Sequence, residues 1–163
     1  MTKPSMASLR LLAVAAAHGR VGSVFLIGDR LMDWQMSSKA AESGVEAAAF
    51  AQTLINEFTP DLVVTEELKT ARHKGKHTLD LIAAIARTAE HNQVLDVAVP
   101  REHRYPNKYA EAEALVERYP ELAPWKPVKR RFYDNEPRNT VIFEAVALAQ
   151  VMVGAGGGEA NNK

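Results

Sequence analysis

The stretch Pro60-Asp61-Leu62-Val63-Val64-Thr65-Glu66-Glu67-Leu68 decides how the chain is read. Its centre is apolar and β-branched at Val63, Val64 and Thr65, the signature of a short buried strand. Two carboxylates, Glu66 and Glu67, stand at its C-terminal end. Ligands and chemistry collect at the carboxyl ends of strands in α/β sheets, so an acid pair there is placed for a metal or for proton transfer. The plainer reading, an acidic doublet that ends a strand and faces water, stands beside it on this motif alone.

Working outward, Ser43-Gly44-Val45-Glu46 has the capping-box form and starts a helix. Its Ala47, Phe50, Ala51, Leu54, Ile55 and Phe58 form one apolar stripe, and Thr59-Pro60 ends it. On the other side a basic loop, Lys69 to His77, leads to a helix from about Thr78 to His91 and then to a strand over Val94 to Val99, stopped by Pro100. The chain opens with a buried strand over Leu9 to Ala15, followed by the small-residue stretch Ala16-Ala17-His18-Gly19. A second strand over about Ser23 to Ile27 turns at Gly28-Asp29, a type II′ hairpin signature, into a return strand over Leu31 to Met36.

Past Pro100, Tyr109 to Tyr119 reads as an alanine- and glutamate-rich helix, and Pro120, Pro124 and Pro127 break the segment after it. The last helix, about Asn139 to Val153, is apolar almost all the way round and so must be buried on most of its surface. The Gly/Asn-rich residues 154–163 read as a disordered tail, leaving 1–153 as a single domain. Three strands, helix, strand, helix, strand and helices require the fourth strand to pair with the first through a crossover. The expected fold is α/β: a mixed five-stranded sheet with helices on both faces.

Composition narrows the chemistry. The 163 residues are 47% hydrophobic and 25% charged, ample for one core. The absence of cysteine removes disulfides, zinc–thiolate sites and thiol nucleophiles. No apolar run has the length of a membrane span, and Met1 to Ser8 carries no signal-peptide core, so a cytoplasmic protein is expected. Lys+Arg and Asp+Glu number 20 each, yet the basic residues cluster: Lys69, Arg72, Lys74 and Lys76 in one run, Lys126, Lys129, Arg130 and Arg131 in another. A neutral protein with two such clusters still carries local positive fields.

The last helix holds one anomaly. Glu144 lies between Phe143 and Ala145 in an otherwise apolar element. A buried carboxylate is costly unless it is paired, hydrogen-bonded or metal-bound; pairing with an arginine at the helix rim is the plain alternative. Glu66 and Glu144 together read as carboxylates converging from distant sequence. Such clusters hold Mg²⁺ or Mn²⁺, and two ions about 4 Å apart can activate water in phosphodiester cleavage.

These residues carry a resemblance. Leu12-Ala13-Val14-Ala15 with Gly19-Arg20-Val21-Gly22, then Val64-Thr65-Glu66-Glu67, then Phe143-Glu144-Ala145-Val146-Ala147-Leu148-Ala149 are similar to the RNase H-like superfamily, and specifically to RuvC-type Holliday-junction nucleases. The likeness spans roughly residues 9 to 150. It implies four metal-binding acids: one on the first strand, one ending the fourth, and two a turn apart on the last helix. Carried onto this chain, the fourth-strand acid falls on Glu66 and one helix acid on Glu144. The first-strand acid falls on Ala15 and the second helix acid on Val141, neither of which can bind a metal; Glu136, then Asn139, stand nearest as substitutes. Ala15 leaves two explanations open, a degenerate relative or a chain with an inactivating substitution.

The resemblance thus implies a Mg²⁺- or Mn²⁺-dependent endodeoxyribonuclease acting as a homodimer on branched or double-stranded DNA, weakened or inactive at Ala15. The alternative is a non-catalytic nucleic-acid-binding or assembly protein that keeps the fold. An actin-like ATPase is disfavoured, since no Gly-rich phosphate loop follows the first strand. Lys69, Arg72, Lys74, Lys76, Lys129, Arg130 and Arg131 are the expected phosphate contacts, with solvated loop charge as the plain alternative. Tyr105, Phe132 and Tyr133 near these runs are candidates to stack bases, with core packing the favoured reading for Phe132. Among the histidines, His18, next to the Ala15 position, is the best placed for a site, while His73 and His77 fall in a loop. Glu66 and Glu144 should lie close enough to share one cation, with Ala15 beside them.

Overall fold

The computed structural model describes residues 8–102, 104–127 and 139–161, with side chains as far as residue 153. Its core is a five-stranded sheet built from β1 (Arg10–Ala17), β2 (Arg20–Ile27), β3 (Arg30–Ser37), β4 (Leu62–Glu66) and β5 (Leu95–Val99). The strand order is β3-β2-β1-β4-β5, with β1–β2 and β2–β3 antiparallel and β1–β4 and β4–β5 parallel. The meander closes with two-residue turns at His18-Gly19 and Gly28-Asp29, whose glycines sit at φ +79° and +64°. The second strand begins at Arg20, earlier than the Ser23 read from hydrophobicity, because Gly19 supplies the turn directly.

Among the described residues four α-helices cover the sheet: α1 (Gly44–Phe58), α2 (Lys76–His91), α3 (Lys108–Arg118) and α4 (Thr140–Asn161). The capping box forms in part, with Ser43 Oγ accepting from Glu46 N at 3.2 Å. Asn107 caps α3 by accepting from Tyr109 N and Ala110 N. α1 and α2 pack with Leu12, Val14, Phe25 and Val63 on one face; α4 and α3 pack with Leu11, Ala13, Val24 and Val64 on the other. Phe25 and Phe58 stack at 4.5 Å on the first face, and Trp34 meets Trp125 edge-on at 5.2 Å on the second.

α4 continues to Asn161, beyond the expected end at Val153. Glycine costs a helix about 1 kcal/mol per residue relative to alanine but introduces no clash, so a glycine run weakens a helix without forbidding it. Among the described residues no helix is long and apolar enough to cross a membrane.

The topology opens one crevice. β1 continues into β2 and β3 on one side, β4 into β5 on the other, so the chain changes direction between β1 and β4. Their pairing ends at Ala13–Val64, while β1 runs on to Ala17 and β4 to Glu66. Open α/β sheets bind ligands at such a switch point, outside the carboxyl ends of the strands.

Candidate functional site

Glu66 is the last residue of β4 and follows Leu62 and Val64 on the α4 face, because side chains alternate along a strand. It is 2% exposed. Ala15 lies two residues past the Ala13–Val64 pair on the same face of β1. Glu144 enters from α4, one turn after Val141. Between the two carboxylates lies Lys74. Its Nζ is 2.8 Å from Glu66 Oε1 and 2.6 Å from Glu144 Oε1, and it donates to the Ala16 carbonyl at 2.9 Å. The Glu66 contact is an ion pair lying off the hydrogen-bond direction, and Glu66 Oε2 is buried with no hydrogen-bond partner among the described residues.

Lys74 reaches this point from a short 3-10 turn, Arg72–Lys74, in the basic loop. Ala71, fully buried, pins the loop on one side, and α2 begins two residues later on the other. Burial alone would lower the pKa of the Lys74 ammonium, but Glu144 and Glu66 outweigh it and hold it above the ordinary lysine value. The ammonium is therefore charged throughout the neutral range.

The remaining side of the site is hydrocarbon. A Cβ placed on Gly22, the cross-strand partner of Ala15, would stand 2.9 Å from both Val141 Cγ1 and the Val141 carbonyl. Val141 thus lies directly on the sheet at Gly22, and both Ala15 and Val141 belong to the apolar cluster under α4.

A second ion pair borders the first. Arg101, just after β5, grips Glu111 of α3 through both terminal nitrogens, one bond measuring 2.8 Å. Burial would lower the Arg101 pKa, but Glu111 outweighs it, with smaller upward contributions from Glu144 and Glu66. Neither Arg101 nor Glu111 was singled out from sequence; the signal available was an acid one turn into an alanine-rich helix.

Of the sequence-predicted residues, the structure brings Glu66, Glu144 and Ala15 together and adds Lys74, expected as a phosphate contact, whose ammonium points inward. Lys69, Arg72 and Lys76 are exposed, Lys76 with Asp80 at 3.3 Å. His18 is exposed at the β1–β2 turn. His77 Nε2 lies 2.8 Å from the Ala41 carbonyl, a structural contact. Lys126 pairs with Glu113 at 3.2 Å. Lys129, Arg130, Arg131, Phe132, Tyr133 and Glu136 lie outside the described residues.

Among solved structures, a Thermus thermophilus RuvC in complex with a Holliday junction substrate superposes with a TM-score of 0.59 at 15% identity, over 94% of this chain and 96% of that one. A second structure of Thermus thermophilus RuvC gives 0.51 at 13% identity, over 89% and 98%. The fold is that of the RuvC-type nucleases. No family model and no curated protein matches the chain. The resemblance implies bound divalent ions, and the described residues at this crevice do not fit them. Two carboxylates converge where four acids would be needed, an ammonium stands between them, and Val141 fills the Ala15 side. Among the described residues no group of three or more His, Asp or Glu is placed to hold a metal.

Proposed function

We propose that this chain binds branched DNA and does not cut it by the two-metal route. The observation that carries this reading is the closure of the Glu66–Glu144 pair by Lys74, beside the hydrocarbon of Ala15 and Val141. The likeness to a RuvC solved on a junction supports the DNA side, as do the exposed Lys69 and Arg72 on the loop leaving the crevice and Lys76 at the start of α2. Lysine and arginine contacts to phosphates supply affinity without reading sequence. A homodimer, implied by the resemblance, would present two such loops to the two halves of a four-way junction.

Labelled four-way DNA tests both halves of the proposal. The chain should bind it with affinity that falls as salt rises. Reversing Lys69, Arg72 and Lys76 to Glu should weaken binding and reduce the slope of log K against log salt by roughly 0.9 for each phosphate that is no longer neutralised. No cutting should follow addition of Mg²⁺ or Mn²⁺. Metal-dependent cutting by the unmodified chain would instead support the nuclease, with ligands from segments such as the one holding Glu136; unchanged affinity in the triple variant would reduce the loop to ordinary surface charge.

A further inference from the structure

We propose that the Lys74 ammonium is the resident cation of this site, a tethered charge standing where a divalent ion would stand, and that removing that charge opens the place to one such ion. This deepens the preceding reading, since both take a two-metal centre to be absent, but its tests use no DNA.

A lysine ammonium has three N–H donors and no acceptor. Here its three neighbours are Glu66 Oε1, Glu144 Oε1 and the Ala16 carbonyl, at 2.8, 2.6 and 2.9 Å. They come from β4, α4 and β1, the same three elements to which the resemblance assigns metal ligands. The difference lies on β1, where a main-chain carbonyl replaces a side-chain acid. The three ligands thus surround a single cation, and the chain supplies that cation itself.

The same geometry defines what the vacated place would take. Oxygen ligands hold Mg²⁺ at about 2.1 Å and larger hard cations at up to about 2.6 Å. The carboxylates would close in by well under an ångström once the side chain is gone. Glu66 Oε2, buried without a hydrogen-bond partner among the described residues, is a further acceptor on the same carboxylate. Val141, packed against Gly22 beside Ala15, walls off the position a second ion would need. The opened site therefore takes one divalent ion.

Mn²⁺ titration, followed by calorimetry and by electron paramagnetic resonance, tests this on the whole chain. The unmodified chain should show no Mn²⁺ binding that Glu66→Gln abolishes. Lys74→Ala, and Lys74→Gln, which keeps a polar side chain of moderate length without the charge, should each bind a single Mn²⁺ at least about tenfold more tightly than the unmodified chain. Adding Glu66→Gln to either should remove the gain. The unmodified chain supplies a test that does not depend on the variants folding. The ¹⁵N-bound protons of the Lys74 ammonium should exchange slowly and stay sharp in Mn²⁺. Broadening of that signal by Mn²⁺, Glu66-dependent Mn²⁺ binding by the unmodified chain, or folded Lys74 variants that bind no Mn²⁺ would each overturn the proposal. Failure of the DNA reading would appear separately, in the junction-binding assay.

Discussion

Two buried ion clusters lie side by side in this fold and are built on different principles. In one, Arg101 and Glu111 match one positive fork to one carboxylate with two parallel bonds, the bidentate arrangement that adds both strength and geometric specificity to an arginine–carboxylate pair. In the other, one ammonium serves two carboxylates and a carbonyl, and Glu66 Oε2 is left without a hydrogen-bond partner among the described residues. The first cluster is a closed stitch between the end of β5 and α3. The second has one cation in contact with two carboxylates, and ligands drawn from three elements. Burial alone does not separate a stitch from a site; charge balance and leftover acceptors do.

Removing each cation is the strongest way to break the comparison. Lys74→Ala and Arg101→Ala should each cost about 3 kcal/mol in chemical denaturation, because each strands a buried carboxylate. Millimolar Mn²⁺ should restore part of that stability in Lys74→Ala through binding to the folded state and none in Arg101→Ala. Equal rescue of both would erase the distinction between the clusters.

A smaller effect probes the hydrocarbon side of the carboxylate site. Gly22→Ala places a methyl against Val141, and overpacking of this kind costs about 1–3 kcal/mol. Adding Val141→Ala should recover only part of it, because the Val141 carbonyl stands as close as the side chain. Full recovery in a denaturant melt would mean that α4 shifts freely over the sheet, and then the wall beside Ala15 is not fixed.

The smallest effect comes from an acid with no cation partner among the described residues. Thr65, beside Glu66 but on the opposite face, donates to Asp96 at 3.1 Å. Burial pushes the Asp96 carboxyl up, partly offset by the Thr65 hydrogen bond, with Glu90 adding to the rise. The folded state therefore holds the Asp96 proton more tightly than the unfolded chain does. Stability falls as pH rises from the ordinary aspartate value of 3.8 through the folded one, and the cost is fully present at neutral pH. Asp96→Asn should accordingly raise the melting temperature by about one to three degrees at pH 7, with the gain vanishing below the ordinary aspartate value. A variant that melts lower at pH 7 would show that the Asp96 charge is tolerated where it lies.

The fold was legible because its signals are local. The meander follows from apolar runs and the Gly28-Asp29 turn, α1 from Ser43 and Glu46, and the β1–β4 pairing from the crossover rule. Glu144 was legible for the opposite reason, as an acid that violates the pattern of its own helix. Lys74 was not. It lies in a basic run with Lys69, Arg72 and Lys76, and nothing in its sequence neighbourhood separates the one that turns inward. Its carboxylate partners are 8 and 70 residues away and its carbonyl partner 58, and the buried Ala71 anchors the loop that carries it. A pair of convergent acids lacking two expected partners was itself a hint that a cation must come from elsewhere in the chain. Arg101 and Glu111 escaped notice because a paired acid on an alanine-rich helix looks like any solvated one.

The Ala16 carbonyl contributes to the site without a side chain. It is available because β4 stops pairing with β1 at Ala13, leaving the strand's edge bare just where the lysine arrives. Substitution at position 16 exchanges the methyl, which faces the other core, and leaves the oxygen in place. One of the three grips on the ammonium is thus invisible to side-chain scanning. The role of β1 here is written in its path rather than in its codons, and only a change to the backbone bond itself would expose it.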